Sequence, residues 1–264
     1  MRIAIGISYD GSRFEGWQSQ SSGNTVQDCL EVALASIAGH PVRISGAGRT
    51  DAGVHGVAQV AHFDSEAVRP KSAWVRGVNS HLPAEIAVQW AQPVPDDFHA
   101  RFSALRRSYR YVLYNHPVRP AVAARHVGWF HLPLDLEKMR AGADILLGEH
   151  DFSAFRSSEC QAKSPVRRLE QLYISSQGPY LLFDLTANAF LHHMVRNLVG
   201  CLVYVGKGKH PPLWIADVLK GRDRKAAAPT FSGAGLYFTA VAYESRWHLP
   251  PFARMMPFGM GTNH

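Results

Sequence analysis

Between Ile3 and Gln92 the hydrophobic period switches between two and 3.6 in an order that few folds satisfy. Ile3, Ile5, Ile7 and Tyr9 alternate with small or polar residues, which reads as a strand. Thr25 with Asp28 three residues on forms a capping-box pattern that opens a helix. Val26, Leu30, Ala33, Leu34 and Ile37 continue it as one apolar stripe, and Gly39 and Pro41 close it. Residues 42–45 and 57–63 read as strands on either side of a glycine-rich loop. Pro70 opens a second helix carrying Trp74, Val75 and Val78, and residues 85–92 form a strand stopped by Pro93 and Pro95. The order β-α-β-β-α-β is the split βαβ, ferredoxin-like arrangement.

The second half has a similar order with insertions. Tyr109, Tyr111 and Leu113 share one face of a strand, with Arg110, Val112 and Tyr114 on the other. Asp135 caps a helix carrying Leu136, Met139, Ala143, Leu146 and Leu147, ended by Gly148. Strands follow at 167–175 and 181–187 around the turn Gly178-Pro179. A long apolar helix is expected at 190–205, a shorter one at 212–220 and a last strand at 236–243. The predicted fold class is therefore α+β: two ferredoxin-like halves whose antiparallel or mixed sheets join around a central cleft. The halves are placed at 1–100 and 101–247. The tail 248–264, rich in Pro, Met and Gly, is expected to be partly mobile.

The stretch Gly46-Ala47-Gly48-Arg49-Thr50-Asp51-Ala52-Gly53-Val54-His55-Gly56 is the most distinctive in the chain. Its glycines let the backbone turn sharply and approach a ligand closely. It presents one carboxylate, Asp51, two residues from one guanidinium, Arg49. A tight loop at a strand edge offering an acid beside a planar cation is the expected result. His55 reads as a structural hydrogen bonder rather than a general base.

Composition narrows the class of partner. The chain has 264 residues, 46% of them hydrophobic and 19% charged, enough for a sizeable core. Its net charge of +7 favours a polyanion, and nucleic acid above others. Cys29, Cys160 and Cys201 are odd in number and widely spaced, so neither a disulfide framework nor a zinc ligand pattern is visible. A reducing, cytoplasmic location is expected, with no membrane span. His192 and His193, read as adjacent helical residues, point about 100° apart and do not readily share one ion. No metal site is predicted.

Several motifs together resemble the TruA-type tRNA pseudouridine synthases. Gly48-Arg49-Thr50-Asp51-Ala52-Gly53-Val54-His55 resembles the family signature, with Asp51 at the catalytic aspartate. Tyr109-Arg110-Tyr111 is similar to the motif that holds a tyrosine against the target base, and residues 190–197 to the second basic motif, which includes Arg196. Phe98-His99-Ala100-Arg101-Phe102 resembles the RNA-contacting segment. Tyr9-Asp10-Gly11, Gly16-Trp17-Gln18 and Gly235-Leu236-Tyr237 match the family's beginning and end.

The resemblance implies isomerisation of uridine to pseudouridine at positions 38, 39 and 40 of the tRNA anticodon stem-loop, without a cofactor, by a homodimer. It implies Asp51 as the catalytic carboxylate and Tyr109 as a substrate-binding residue. Arg196, also a candidate for substrate binding, reads as the guanidinium that favours the ionised form of Asp51, and Arg49, planar and cationic beside the acid, as an aid to base flipping. Phe98, His99, Arg101, Phe102, Arg106, Arg107, Lys163, Arg167 and Arg168 are the expected RNA contacts.

Two other classes fit parts of the pattern. A non-catalytic RNA-binding module suits the basic charge and the aromatic strands but leaves Asp51 unexplained. A metal-dependent hydrolase needs further acidic ligands near Asp51, and the loop supplies none.

Overall fold

The computed structural model describes residues 1–251. In chain order the strands and helices are β1 (Arg2–Tyr9), α1 (Val26–Ala38), β2 (Ser45–Gly46), β3 (His55–Asp64), β4 (Ile86–Val94), β5 (Ala104–Asn115), β6 (Gly128–Phe130), α2 (Leu136–Asp144), β7 (Gly148–Asp151), β8 (Val166–Gln177), β9 (Tyr180–Ala187), α3 (Met194–Gly206), α4 (Trp214–Gly221) and β10 (Leu236–Tyr243). The mixture of strand pairings with packed helices makes the fold α+β. The described chain divides into one compact unit of Met1–Leu105 with residues 237–251, and a second of Arg106–Leu236. The last strand, read from sequence as part of the second half, thus returns to the first unit. Strand pairing is long-range, and nothing local to 236–243 announces its partner. The mobile tail expected at 248–264 lies mostly outside the described residues.

In the first unit β1 pairs antiparallel with β3 on one side and β4 on the other. β2 pairs antiparallel with β3, and β10 adds to β3 in parallel at its His55 end. The β4-β1-β3-β2 order is that of the split βαβ. Alternation along β1 feeds two cores. Ile3, Ile5 and Ile7 pack with Leu30 and Leu34 of α1 and with Phe63, while Ala4 faces Val60, Phe98 and Trp247.

Thr25 caps α1, its hydroxyl accepting the Asp28 N–H at 3.2 Å, and Gly39 ends the helix in the left-handed region. The helix expected after Pro70 contains a π-helical turn at Ala73–Gly77. The strand expected at 42–45 shrinks to two residues. β4 runs through Pro93 rather than stopping there. It lies at the end of the strand order, and an edge strand tolerates a residue with no N–H to donate.

In the second unit β5, β9, β8 and β7 pair antiparallel in that order, and the short β6 pairs parallel with β5. α2 packs against α3 and β8. Asp135 caps α2 as expected, but the helix ends at Asp144, and Gly148 starts β7 instead. The strands β6 and β7 are too short to show a period. α3 begins four residues later than its apolar run, because His193 adopts a left-handed conformation with φ 62°. Asn197 anchors α3 from inside: its amide donates to Phe155 O at 2.7 Å and accepts from the Thr230 hydroxyl at 2.7 Å and from Arg224 at 3.0 Å. A buried amide with three such bonds ties the helix to Phe155, Arg224 and Thr230. Among the described residues, no helix is long and apolar enough to cross a membrane.

Candidate active site

The glycine-rich loop leaves the sheet at Gly46 and rejoins it at His55. Within it Arg49 is exposed and Asp51 half-buried, so the acid is reachable while much of its surface rests on protein. The loop owes its shape to residues 9–17. The Trp17 N–H donates to Thr50 O at 2.9 Å, and the Gly53 N–H to Phe14 O at 3.4 Å. The Tyr9 and Thr50 hydroxyls meet at 2.9 Å in a buried contact. Gly16, at φ +103°, lies so close that a Cβ there would sit 2.7 Å from Thr50 O. Only glycine allows both that backbone conformation and that approach. The Asp51 carbonyl accepts the Val54 N–H at 3.1 Å, which closes the turn behind the acid.

His55 is buried, and its Nδ1 lies 3.1 Å from both the Gly11 N–H and an Asp10 carboxylate oxygen. Its ring stacks on Tyr237 at 4.7 Å. That is the structural place expected for it.

In the segment 98–102 the aromatics separate. Phe98 is fully buried against Tyr243 and Trp247, whereas Phe102 is 76% exposed, with Arg101 over its ring at 5.6 Å. Phe98 is therefore a packing residue, and of the two phenylalanines only Phe102 is open to solvent. The segment is held by His62, whose Nδ1 accepts the Ala100 N–H at 3.2 Å, and by His99, whose Nδ1 accepts the Arg101 N–H at 3.1 Å. Burial, then the nearby His99 and Arg2, pulls the His62 pKa down to about 4, so its ring stays neutral and able to accept.

In the second unit Tyr109 is buried in β5 with its ring edge-on to Phe190 at 4.9 Å. Arg196, in the first turn of α3, donates from Nε to Phe231 O at 2.7 Å. Between these motifs Arg110 forms a two-pronged ion pair with Asp184, both contacts 2.8 Å. The 100° divergence expected for His192 and His193 does not apply. Both precede α3, and their rings lie 4.1 Å apart.

The remaining basic candidates sort by partner. Arg106 pairs with Glu170 at 3.0 Å and Arg107 donates to Asn188 O at 3.1 Å. Lys163 and Arg168 are exposed, and Arg167 is half-buried, donating to Ser164 O at 2.9 Å.

Sequence reading missed Gln59. It is a polar residue at an inward position of β3, on the face of Ala61 and Phe63, and that misfit with the apolar pattern was the available signal.

Comparison with known proteins decides the family. The family model described as tRNA pseudouridine synthase matches residues 5–103 and 143–244, well over half of the chain. The chain belongs to the tRNA pseudouridine synthase family. A protein of Methylobacillus flagellatus named tRNA pseudouridine synthase A is 56% identical over 98% of this chain and 100% of its own length. Proteins of the same name from Dechloromonas aromatica and Aromatoleum aromaticum are 60% and 59% identical, each over at least 95% of both chains. The enzyme is thus an isomerase that converts uridine in tRNA to pseudouridine. Substrate and product carry the same atoms, so the site must break and make bonds at one sugar carbon without importing a group.

Proposed function

We propose that this synthase acts on positions 38, 39 and 40 of the tRNA anticodon stem-loop, as a cytoplasmic homodimer, with Asp51 as its catalytic carboxylate. The carrying observation is a half-buried carboxylate on a braced loop, two residues from an exposed guanidinium. The N1–C1′ bond of uridine breaks, the uracil turns, and C5 bonds to C1′. The proton on C5 leaves and N1 gains one. Asp51 serves as nucleophile or as the group that stabilises positive charge on the sugar and moves the proton. Tyr109 packs against the target base and Arg196 binds the substrate. Arg101, Phe102, Lys163 and Arg168 supply exposed RNA contacts, supported by His99, Arg106, Arg107 and Arg167. The direct test is incubation with unmodified tRNA followed by mapping of pseudouridine. Absence of the product at 38–40, with product elsewhere, overturns the positional assignment.

A base inside a stem must leave the stack, at a cost of a few kcal/mol. Arg49 is planar, cationic and exposed, and fills the gap left behind. Arg49→Ala is expected to slow modification at 39 and 40, in the stem, more than at 38, in the loop. Arg49→Lys restores little, since an ammonium neither stacks nor forms a fork. Single-turnover rates on three stem-loops, each with one target uridine, check this. Equal losses at all three leave Arg49 as a mere neighbour of the acid.

Affinity for the stem-loop is expected to fall steeply with salt, with a log–log slope of several units in magnitude. The motive is the net charge of +7. Titrations at several salt concentrations measure it, and a flat dependence removes the basic surface as the RNA site.

A further inference from the structure

We infer that the buried carboxamide of Gln59, together with the hydroxyl of Tyr9, is the positioning device that sets where Asp51 stands. This rests on Asp51 being the catalytic carboxylate. The backbone pairing of β2 with β3 runs through Ser45↔His62 and Gly46↔Ala61 and ends with the Ala47 N–H on Val60 O at 2.7 Å. At the next step the loop departs, and a side chain replaces the strand. Gln59 Nε2 donates to Gly48 O at 2.7 Å, while its Oε1 accepts from the Gly48 N–H at 3.4 Å and the Val60 N–H at 3.2 Å. One amide thus grips both polar groups of Gly48 and extends the ladder by one rung.

The second grip comes two residues on. Tyr9 is buried, its hydroxyl bonded to Thr50 Oγ1 and meeting the Gln59 side chain as well, and burial pushes its pKa up to about 12. It remains a neutral phenol. With the Trp17 N–H on the Thr50 carbonyl, residues 48 and 50 are both fixed, and Asp51 follows directly.

A fully buried amide on a core-facing strand position is costly unless its polar atoms are hydrogen-bonded. Here two of the three bonds go to Gly48 of the loop and the third to the Val60 N–H of the strand itself. Reacting groups displaced by about 1 Å lose on the order of 10²-fold in rate. The grip at Gly48 requires one donor and one acceptor in fixed order. An amide has both. A carboxylate offers no donor and sets negative charge against Gly48 O. A protonated carboxylic acid restores the donor.

That chemistry gives a pH signature which loss of packing does not produce. Gln59→Glu is measured beside the parent by single-turnover conversion of uridine in a stem-loop between about pH 8 and pH 6, with RNA affinity and thermal midpoint on the same samples. Burial raises the pKa of the new carboxyl toward or above neutrality, so the charged, donor-less form gains only toward the upper end of this range and the neutral form takes over as pH falls. The expected result is a rate at least about tenfold below the parent at the upper end. The deficit relative to the parent narrows as pH falls, and RNA affinity stays within about threefold because the phosphate contacts are untouched.

Tyr9→Phe keeps the ring and removes only the hydroxyl, so it tests the second grip even if Gln59→Glu does not fold. Its rate is expected to fall about tenfold, again with affinity unchanged. A pH-independent deficit in Gln59→Glu, or parental rates in Tyr9→Phe, overturns the positioning role. Asp51→Asn separates that failure from failure of the catalytic assignment. If Asp51→Asn is inactive while both positioning variants work normally, the clamp idea is wrong and the acid stands. Turnover by Asp51→Asn overturns the catalytic assignment itself.

Discussion

Asp51→Asn is expected to lower the single-turnover rate of uridine isomerisation on the order of 10³-fold or more. The same variant should bind the anticodon stem-loop within about tenfold of the parent, since phosphate contacts carry most of the affinity and involve other side chains. Asparagine preserves the volume and the backbone turn behind the residue, in which the Asp51 carbonyl accepts the Val54 N–H at 3.1 Å. It removes the negative charge and the basic lone pair, so whichever role the carboxylate has, nucleophile or proton mover, is lost. A stem-loop with a single uridine, followed by pseudouridine detection, reads the effect. Normal turnover by this variant would transfer the chemistry to another group. Loss of binding in parallel with rate would instead make the residue part of the RNA contact.

Arg110→Met is expected to destabilise the protein by about 3 kcal/mol, the lower end of the range for breaking a buried pair. The Arg110 side chain is 3% exposed and that of Asp184 21%, with the two residues directly opposite in the β5–β9 register. Removing the guanidinium leaves a carboxylate on the sheet with its main counter-charge gone. Partial access to water is why the lower figure applies. For a chain of this length the thermal midpoint should drop by about 6–12 °C. The double variant Arg110→Met with Asp184→Leu should recover much of that loss, because an apolar pair of similar size carries no desolvation cost. Thermal melts of the parent, the single and the double variant decide it. A double variant as unstable as the single one assigns the loss to packing around the arginine rather than to the stranded charge.

This ion pair also bears on how the Tyr109-Arg110-Tyr111 motif works. Tyr109 lies against Phe190, and Tyr111, from the same face of β5, donates its hydroxyl to Ser232 O at 2.9 Å. Arg110 points to the opposite face and locks β5 to β9 there. A motif that reads as one functional unit is thus divided by strand alternation into one residue for structure and two for the face that carries Phe190 and Phe231.

Local chemistry determined much of this protein from sequence alone. The alternation of Ile3, Ile5 and Ile7 with small residues gave β1, and Thr25 and Gly39 bounded α1 at both ends, because capping and period act within a few residues. The same holds for β10, found at 236–243 as expected, and for the turn at Gly178, whose φ is +57°. The loop around Asp51 was legible because glycines and an isolated carboxylate at fixed spacing are a local signal. Tertiary structure decided the rest. Pro93 stayed inside a strand because that strand is an edge, and β10 joined the first unit because pairing partners lie far away in sequence. Phe98 went into the core while Phe102 stayed exposed, though both looked alike as aromatics in a basic segment. Gln59 shows the difference most clearly. Its polarity on an inward face was visible in the sequence, but Gly48 as its partner was not, since a hydrogen bond across a loop exists only once both ends of that loop are in place.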